Sequence, residues 1–382
     1  MDLIEKKKIT AVFFLPSLEC GGAERNTINI LRNLNEEKYE ASLLLAEKKG
    51  SFLKDVPSHI FVFSFNSSPL LKIFFNLVKF FKEKKPDIFV SAFPRFNAVA
   101  LLAKIVSGSK TKIILTEHLS FCLLSKTAKT FSHRFIARFL FPYFIRIFYP
   151  KADAIICVSK GIAEELLVFL RNSSKIKVIY NPVADSNIQK MAEKEVSHLW
   201  FSDLKIPLVI MVARLSKTKD QPNLFRALGL INKNKLVRLV IVGEGTEDGK
   251  LKKLANKLNL TENILFLGFQ DNPYKYIKRA SVFVLSSLQE GFGNVLVEAM
   301  ACGTPVVATD CKSGPGEIIQ DGVNGLLVPP QDEKALAEAI LKILNDPILA
   351  KKFSDEGKAR AECFSIKQSV EEYEQVFQEL IH

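Results

Sequence analysis

The segment EGFGNVLVEAM, residues 290–300, places Glu290 and Glu298 eight positions apart, with Gly291 and Gly293 beside the first carboxylate. The run before it, SVFVLSS (281–287), reads as a buried strand, and GTPVVATD (303–310) as the next one. Between them VLVEAMA holds about two helical turns, and Gly303 stands where a helix C-terminus favours a residue free to take positive φ. The order strand, glycine loop, short helix, strand is a βαβ unit, which belongs to a parallel sheet. Glu290 then lies in the loop at the carboxyl end of a strand, and Glu298 on the helix that follows. Loop amides and a helix N-terminus suit an anion, and glycines let it approach the backbone. A carboxylate only accepts hydrogen bonds, so two of them beside a phosphate suit hydroxyl-rich groups. A nucleotide-sugar carries hydroxyls on both sides of its phosphates. The same spacing also fits a plain βαβ unit with a solvated Glu290 and a helix-surface Glu298.

A diphosphate needs cations, and ARLSKTKD (213–220) supplies them. Arg214, Lys217 and Lys219 follow the strand-like LVIMV, at the carboxyl end of what reads as the same sheet. The alternative is a solvated basic turn. VGEGTEDGKLKKL (242–254) is a further strand, glycine loop and helix; Gly243 opens a G-x-G without the third glycine of a dinucleotide motif, so a tight turn is the simpler reading. Near the N-terminus, LPSLECGGAERNTINIL sets Gly21 and Gly22 between the first strand and its helix, where a ligand can press on the helix N-terminus or the chain can simply turn. KIILTEHLS puts Glu117 and His118 just past a buried strand; the histidine can contact a sugar or steer a proton, or serve only structure.

These residues need a scaffold of two α/β domains. The chain has 382 residues, 48% of them hydrophobic and 25% charged, enough for two cores. Strand-like and helix-like segments alternate from 9 to 183 and again from 207 to 330, then give way to helical patterns over 332–344, 346–363 and 365–381. The polar stretch 184–205 is the linker candidate. The N-terminus is charged and runs straight into the strand-like ITAVFFL, which reads as a chain without a secretory leader. No apolar run of about 18 residues suggests a spanning helix.

The six cysteines are scattered without C-x-x-C spacing, as expected of reduced thiols in a cytosolic protein. With five histidines and no H-x-H, H-E-x-x-H or D-x-D, no metal site and no cofactor are expected. Net charge is +12, and its placement is uneven: residues 1–180 carry 28 Lys and Arg against 15 Asp and Glu, residues 181–382 carry 25 against 26. Something anionic is expected to meet the first half. The stretch 121–151 is basic, acid-free and rich in Phe and Tyr, and 70–85 is similar. Such amphipathic segments suit an anionic membrane interface, or form a core stripe with Arg outside. No helix-turn-helix, RNP or finger pattern supports nucleic acid.

In order and spacing, ARLSKTKD, VGEGTEDGKL, LGFQDN, VLSSLQEGFGNVLVEAMACGTPVVATD and GLLVPP resemble the GT4-type retaining glycosyltransferases of the GT-B fold, glycosyl transferases group 1. GGAER, VSKG (158–161) and IYNPV (179–183) are similar to that family too. The resemblance implies an α/β protein of two Rossmann-like, doubly wound domains facing a central cleft: an acceptor domain over 1–185, joined by a crossover helix over 365–382, and a donor domain over 186–364. It implies that Arg214 and Lys219 hold the diphosphate of a nucleotide-sugar and that Glu290 meets the donor-sugar hydroxyls, orienting the sugar rather than attacking it. The backbone of Gly291, Phe292, Gly293, Asn294 and Val295 would meet sugar and phosphate, and Glu298 the ribose. Gly243 is counted with the donor loops, Gly21 and Gly22 with the donor phosphate or the acceptor, and His118 with the catalytic groups. The implied reaction moves a sugar, from a UDP-hexose or UDP-N-acetylhexosamine, to a glycan or lipid-linked acceptor without a metal, peripherally on the cytoplasmic face of a membrane, in polysaccharide or lipopolysaccharide assembly. A non-hydrolysing UDP-sugar epimerase and a non-catalytic carbohydrate- or lipid-binding protein are the alternatives on this architecture.

Overall fold

The computed structural model describes residues 7–19, 21–118, 141–170, 174–203 and 205–382. The chain divides into two compact units: residues 1–182 with 366–382, and residues 183–365.

The first unit is built on a seven-stranded sheet of order β3-β2-β1-β4-β5-β6-β7. Its strands are β1 (Ile9–Leu15), β2 (Tyr39–Leu45), β3 (Phe61–Ser64), β4 (Ile88–Ala92), β5 (Lys112–Glu117), β6 (Ala154–Cys157) and β7 (Ile176–Val178), all paired in parallel. The helices are α1 (Gly22–Asn33), α2 (Leu70–Lys84), α3 (Pro94–Ser107), α4 (Phe141–Phe148) and α5 (Lys160–Leu167). Right-handed crossovers send α1 to one face and α2, α3 and α4 to the other, because the strand order reverses after β3. The inner strands are buried on both faces, so they read as continuous apolar runs such as AVFFL. Phe14 and Phe89 pack under α2 and α3 against Phe80, Phe81 and Phe96. On the opposite face Phe13 and Tyr39 meet Phe377 of the C-terminal helix, Ile366–Ile381, which lies beside α1. Glu374 of that helix accepts a hydrogen bond from the Asn35 amide at 2.9 Å, just past the end of α1.

The second unit has a six-stranded parallel sheet of order β10-β9-β8-β11-β12-β13. Its strands are β8 (Leu208–Val212), β9 (Arg238–Val242), β10 (Ile264–Gly268), β11 (Val282–Leu285), β12 (Val306–Thr309) and β13 (Leu326–Val328). The helices α6 (Ser186–Ala192), α7 (Gln221–Ile231), α8 (Asp248–Lys257), α9 (Tyr274–Ile277), α10 (Asn294–Ala301), α11 (Pro315–Ile318), α12 (Glu333–Asn345) and α13 (Pro347–Glu362) complete it. The polar stretch read as a linker opens with α6 instead. Asp185 caps that helix by accepting from the Asn187 and Ile188 amides, so a polar run became ordered structure.

Both sheets follow the doubly wound order, which places a topological switch point between β1 and β4 in one unit and between β8 and β11 in the other. No described helix is long and apolar enough to cross a membrane.

Phe377 is fully buried between Phe13, Tyr39 and Tyr373. Phe377→Ala is expected to cost the first unit about 3–5 kcal/mol by leaving a cavity under the C-terminal helix. Denaturant unfolding should then show an early transition that the wild type lacks; unchanged unfolding would mean the helix is not held by this contact.

Candidate active site

At the switch point of the second unit two loops leave neighbouring strands. The loop after β8 carries Arg214 and then a 3-10 turn, Lys217–Lys219; the loop after β11 carries Glu290. Lys219 Nζ meets Glu290 Oε1 at 2.6 Å, with the lysine side chain 22% and the carboxylate 9% exposed. Two serines at the end of β11 set this pair. Ser286 Oγ donates to the carbonyls of Lys219 and Asp220 at 2.9 and 3.0 Å, fixing the backbone of the cation loop. Ser287 Oγ donates to Glu290 Oε1 at 2.6 Å, and Thr309 of β12 in turn donates to the Ser287 carbonyl. The Leu288 amide donates to the Thr218 carbonyl at 2.8 Å, a third stitch between the loops. Asp220, in the left-handed region with φ 44°, turns the chain into α7. Arg214 is exposed, and Gln221 Nε2 donates to its carbonyl at 3.0 Å. The arrangement presents a partly neutralised cationic loop beside a held carboxylate, suited to a phosphate with hydroxyls attached.

The EGFG loop ends at Gly293, whose φ of 102° caps α10. Asn294 and Val295 form the first turn of that helix and are partly exposed, as is Gly291. Phe292 differs: its side chain is buried against Phe364, with ring centroids 5.3 Å apart, so only its backbone is left for a ligand. Gly314 lies over its carbonyl so closely that a Cβ there would sit 2.0 Å from the oxygen. Glu298 does not lie on a helix surface. It is 6% exposed, and the Tyr274 hydroxyl of α9 donates to its Oε1 at 3.3 Å. The neighbouring thiols are quiet: burial, then the charge of Glu290, pushes Cys311 up to about 12, and burial, then Glu298, does the same to Cys302. Gly243, with φ 133°, has a packing task. A Cβ there would lie 2.1 Å from the Ala213 carbonyl, so the residue lets β9 seat the start of the Arg214 loop.

In the first unit Gly21 caps α1 with an extended φ of −153°, an angle open to any residue, and Gly22 begins the helix. Paired glycines are therefore not demanded by the backbone here. His118 follows β5, its Nε2 3.2 Å from Thr116 Oγ1, and burial lowers its pKa to about 4, so it is a neutral imidazole near pH 7. It is partly exposed, and it also lines a cavity of about 10 Å³, the size of one water, with Asn26, Thr27, Tyr180 and Asn181. Its neighbour Glu117, fully buried, accepts from the Tyr149 hydroxyl at 2.5 Å and from Asn97 Nδ2 at 2.8 Å. Burial raises Glu117 to about 7 against the help of both donors. Among the described residues its Oε2 has no hydrogen-bond partner. The structure thus gathers Arg214, Lys219, Glu290, Glu298 and the 291–295 loop in one unit, and places Gly21, Gly22 and His118 in the other.

Ser286, Ser287, Tyr274 and the Asn97–Glu117–Tyr149 cluster were missed as site residues by sequence reasoning. Only the two serines had a signal, being adjacent hydroxyls where a buried strand emerges beside the glycine loop. The Tyr274–Glu298 contact spans 24 residues and leaves no local pattern.

Two parallel-sheet Rossmann units with this switch-point geometry define the GT-B class of fold. Solved structures agree: HepE from Anabaena, in complex with UDP-glucose, superposes with a TM-score of 0.81 at 23% identity, covering 97% of this chain and all of that one. Sucrose-phosphate synthase from Thermosynechococcus elongatus also reaches 0.81, at 19% identity. Residues 196–360 match the family model for glycosyl transferases group 1, and residues 20–187 that for glycosyltransferase family 4. A Campylobacter jejuni relative, an N-acetylgalactosamine-N,N'-diacetylbacillosaminyl-diphospho-undecaprenol 4-alpha-N-acetylgalactosaminyltransferase, is 33% identical over 362 residues, covering 92% of this chain and 94% of its own. A second from that organism, a GalNAc-alpha-(1->4)-GalNAc-alpha-(1->3)-diNAcBac-PP-undecaprenol alpha-1,4-N-acetyl-D-galactosaminyltransferase, is 28% identical and covers 94% and 96%. The chain belongs to the GT4-type glycosyltransferases and is a sugar-transferring enzyme.

The Glu117 cluster generates a pH prediction. Its folded-state pKa lies above the ordinary 4.5, so its contribution to stability is full below about pH 4.5 and is lost as pH rises to about 7. Glu117→Gln keeps both accepted hydrogen bonds and abolishes the titration. The variant should gain on wild type by up to about 3 kcal/mol across that window, read from unfolding midpoints against pH. His118 has the opposite sign, its contribution being lost as pH falls towards about 4, and is common to both proteins. A parallel pair of pH profiles would overturn the assignment.

Proposed function

We propose that this enzyme is a retaining glycosyltransferase that takes a sugar from a UDP-sugar, a UDP-hexose or UDP-N-acetylhexosamine, and passes it to a lipid-linked glycan at the cytoplasmic face of a membrane. The observation that carries the reading is the Lys219–Glu290 pair held by Ser286 and Ser287 at a sheet switch point, beside Arg214. Lys219 and Arg214 would hold the diphosphate, and Glu290, released from Lys219, would accept hydrogen bonds from sugar hydroxyls. Glu298, already accepting from Tyr274, would take the ribose hydroxyls. The bond from the anomeric carbon to the phosphate oxygen breaks while the acceptor oxygen bonds to that carbon on the same face. The acceptor's proton passes to the departing phosphate oxygen. Stabilising the developing phosphate charge is the main task of the cationic loop and the 291–295 amides. Neutral His118, in the acceptor-side unit, can accept or donate one hydrogen bond to the incoming glycan.

Support for the donor comes from the HepE neighbour, solved with UDP-glucose. The two Campylobacter relatives, named for undecaprenol-linked glycans, support the acceptor class, and the reading fits cell-surface polysaccharide or lipopolysaccharide assembly. Catalysis without a metal or cofactor is part of the proposal, because Lys219 and Arg214 supply the positive charge that a metal would bring. Within the basic aromatic stretch 121–151 assigned to the membrane, residues 121–140 lie outside the described residues.

Arg214→Ala and Lys219→Ala are each expected to lower turnover by at least a hundredfold, the order of losing one positioned transition-state contact. Near-wild-type rates for both would remove the assignment. In thermal unfolding, UDP and its sugar conjugates at a hundred times their dissociation constants should stabilise wild type by about 2.7 kcal/mol. Glu298→Ala should abolish the shift, and a larger shift with GDP or ADP would overturn the choice of uridine.

A further inference from the structure

Two buried oxygens beside His118 share one deficit. Glu117 and Asn97 are both fully buried. Glu117 Oε1 accepts from the Tyr149 hydroxyl at 2.5 Å and from Asn97 Nδ2 at 2.8 Å, which fills its two lone pairs. Asn97 Nδ2 spends its second hydrogen on the Thr116 carbonyl at 3.0 Å. That carbonyl only accepts, so the amide cannot be turned over to put its oxygen there. Glu117 Oε2 and Asn97 Oδ1 remain, and neither has a hydrogen-bond partner. They are the far ends of two planar groups already joined at their near ends. Orphaned buried acceptors are uncommon in folded proteins, and a single proton satisfies both of these. Carried on Oε2, it makes Glu117 a donor to Asn97 Oδ1 and closes a cyclic acid–amide pair.

The pair reaches His118 through Thr116. Thr116 Oγ1 donates to the Ser91 carbonyl at 3.1 Å and lies 3.2 Å from His118 Nε2. Its hydrogen is taken by Ser91, so towards His118 the hydroxyl only accepts. A neutral imidazole has one N–H; this contact sets it on Nε2 and leaves Nδ1 as the acceptor. The Asn97 backbone amide also donates to the Phe93 carbonyl at 2.8 Å, and the Phe93 ring lies 6.1 Å from that of His118.

We propose that Glu117 is held as a neutral acid paired with Asn97, and that this pair, acting through Thr116, is the positioning group that fixes His118 as its Nε2–H tautomer. The inference rests on the reading of His118 as a group that meets the incoming glycan and deepens it: Nδ1 takes a hydrogen bond from an acceptor hydroxyl and does not give one. The titratable groups facing Glu117 are Tyr149 and, on β6, Cys157, both kept protonated by burial. On α3, Arg95 is exposed and Lys104 pairs with Asp153. Burial raises Glu117 to about 7, so the pair is closed below that pH. Above it two acceptors face each other and the pair opens.

The test is spectroscopy on the full chain. Infrared difference spectra should show a protonated-carboxyl band that fades as pH rises through about 7, and Glu117→Gln should lack it. With nitrogen-labelled histidine, and His118→Gln to assign the signal, proton–nitrogen correlation should find the His118 proton on Nε2. Thr116→Val should turn that single tautomer into a mixture. Glu117→Gln, whose amide can donate to Asn97 Oδ1 in the proton's place, should keep it. The same variant should keep turnover, read as UDP release from a UDP-sugar, at the higher pH where wild type loses at least half. A wild type without the band, a band that survives in Glu117→Gln, or a proton on Nδ1 would overturn the pair and its role. An unchanged tautomer in Thr116→Val would overturn the route through Thr116. Wild-type turnover by His118→Gln would instead overturn the acceptor-side reading of His118 and leave the acid–amide pair standing.

Discussion

The reversal of strand order between β8 and β11 is the constraint on which the second unit depends. Where two strands send their crossovers to opposite faces, no helix covers the gap between the loops at their carboxyl ends. Lys219 and Glu290 meet in that gap, 71 residues apart in sequence. A partly buried ion pair has little net stability once desolvation is counted. The surroundings make up the difference with hydrogen bonds: Ser287 and Lys219 both donate to Glu290 Oε1, and Ser286 ties down two carbonyls of the cation loop. The pair is thus preorganised, with Lys219 held in place before anything else reaches it.

Three carboxylates, Glu117 and Glu298 buried and Glu290 partly so, illustrate how environment divides one chemistry into several tasks. Glu290 faces a cation, Glu298 a tyrosine hydroxyl, and Glu117 a tyrosine and an asparagine, with no ion pair to it among the described residues. Neutral donors do not offset the burial of Glu117, so it titrates near pH 7. That cluster sits directly before His118 and holds the end of β5 from behind: Asn97 on α3 donates both to Glu117 and to the Thr116 carbonyl. Phe93, which caps α3 at a strained φ of 72° and lies 6.1 Å from the His118 ring, belongs to the same corner. The first unit therefore concentrates buried polar groups and backbone strain where its own strand order reverses, between β1 and β4, and just beyond.

Much of this was legible in the chain itself. Parallel strands buried on both faces need continuous apolar runs, and βαβ units need helices of a given length between them, so alternation reveals the class of fold. Short-range chemistry is legible for the same reason: Gly293 and Gly303 take positive φ where the loop and helix end demand it, and the EGFG loop precedes a helix N-terminus because both are neighbours in sequence. What tertiary structure alone decided is pairing across distance and the burial that follows from it. Lys219 finds Glu290 across 71 residues, Tyr274 finds Glu298 across 24, and Tyr149 finds Glu117 across 32. Phe292 turns inward although its backbone faces the loop, and the glycines at 243 and 314 exist to admit a neighbouring carbonyl. Local sequence carries propensity and periodicity, whereas the partner of a buried charge is set by which strand ends the sheet brings side by side.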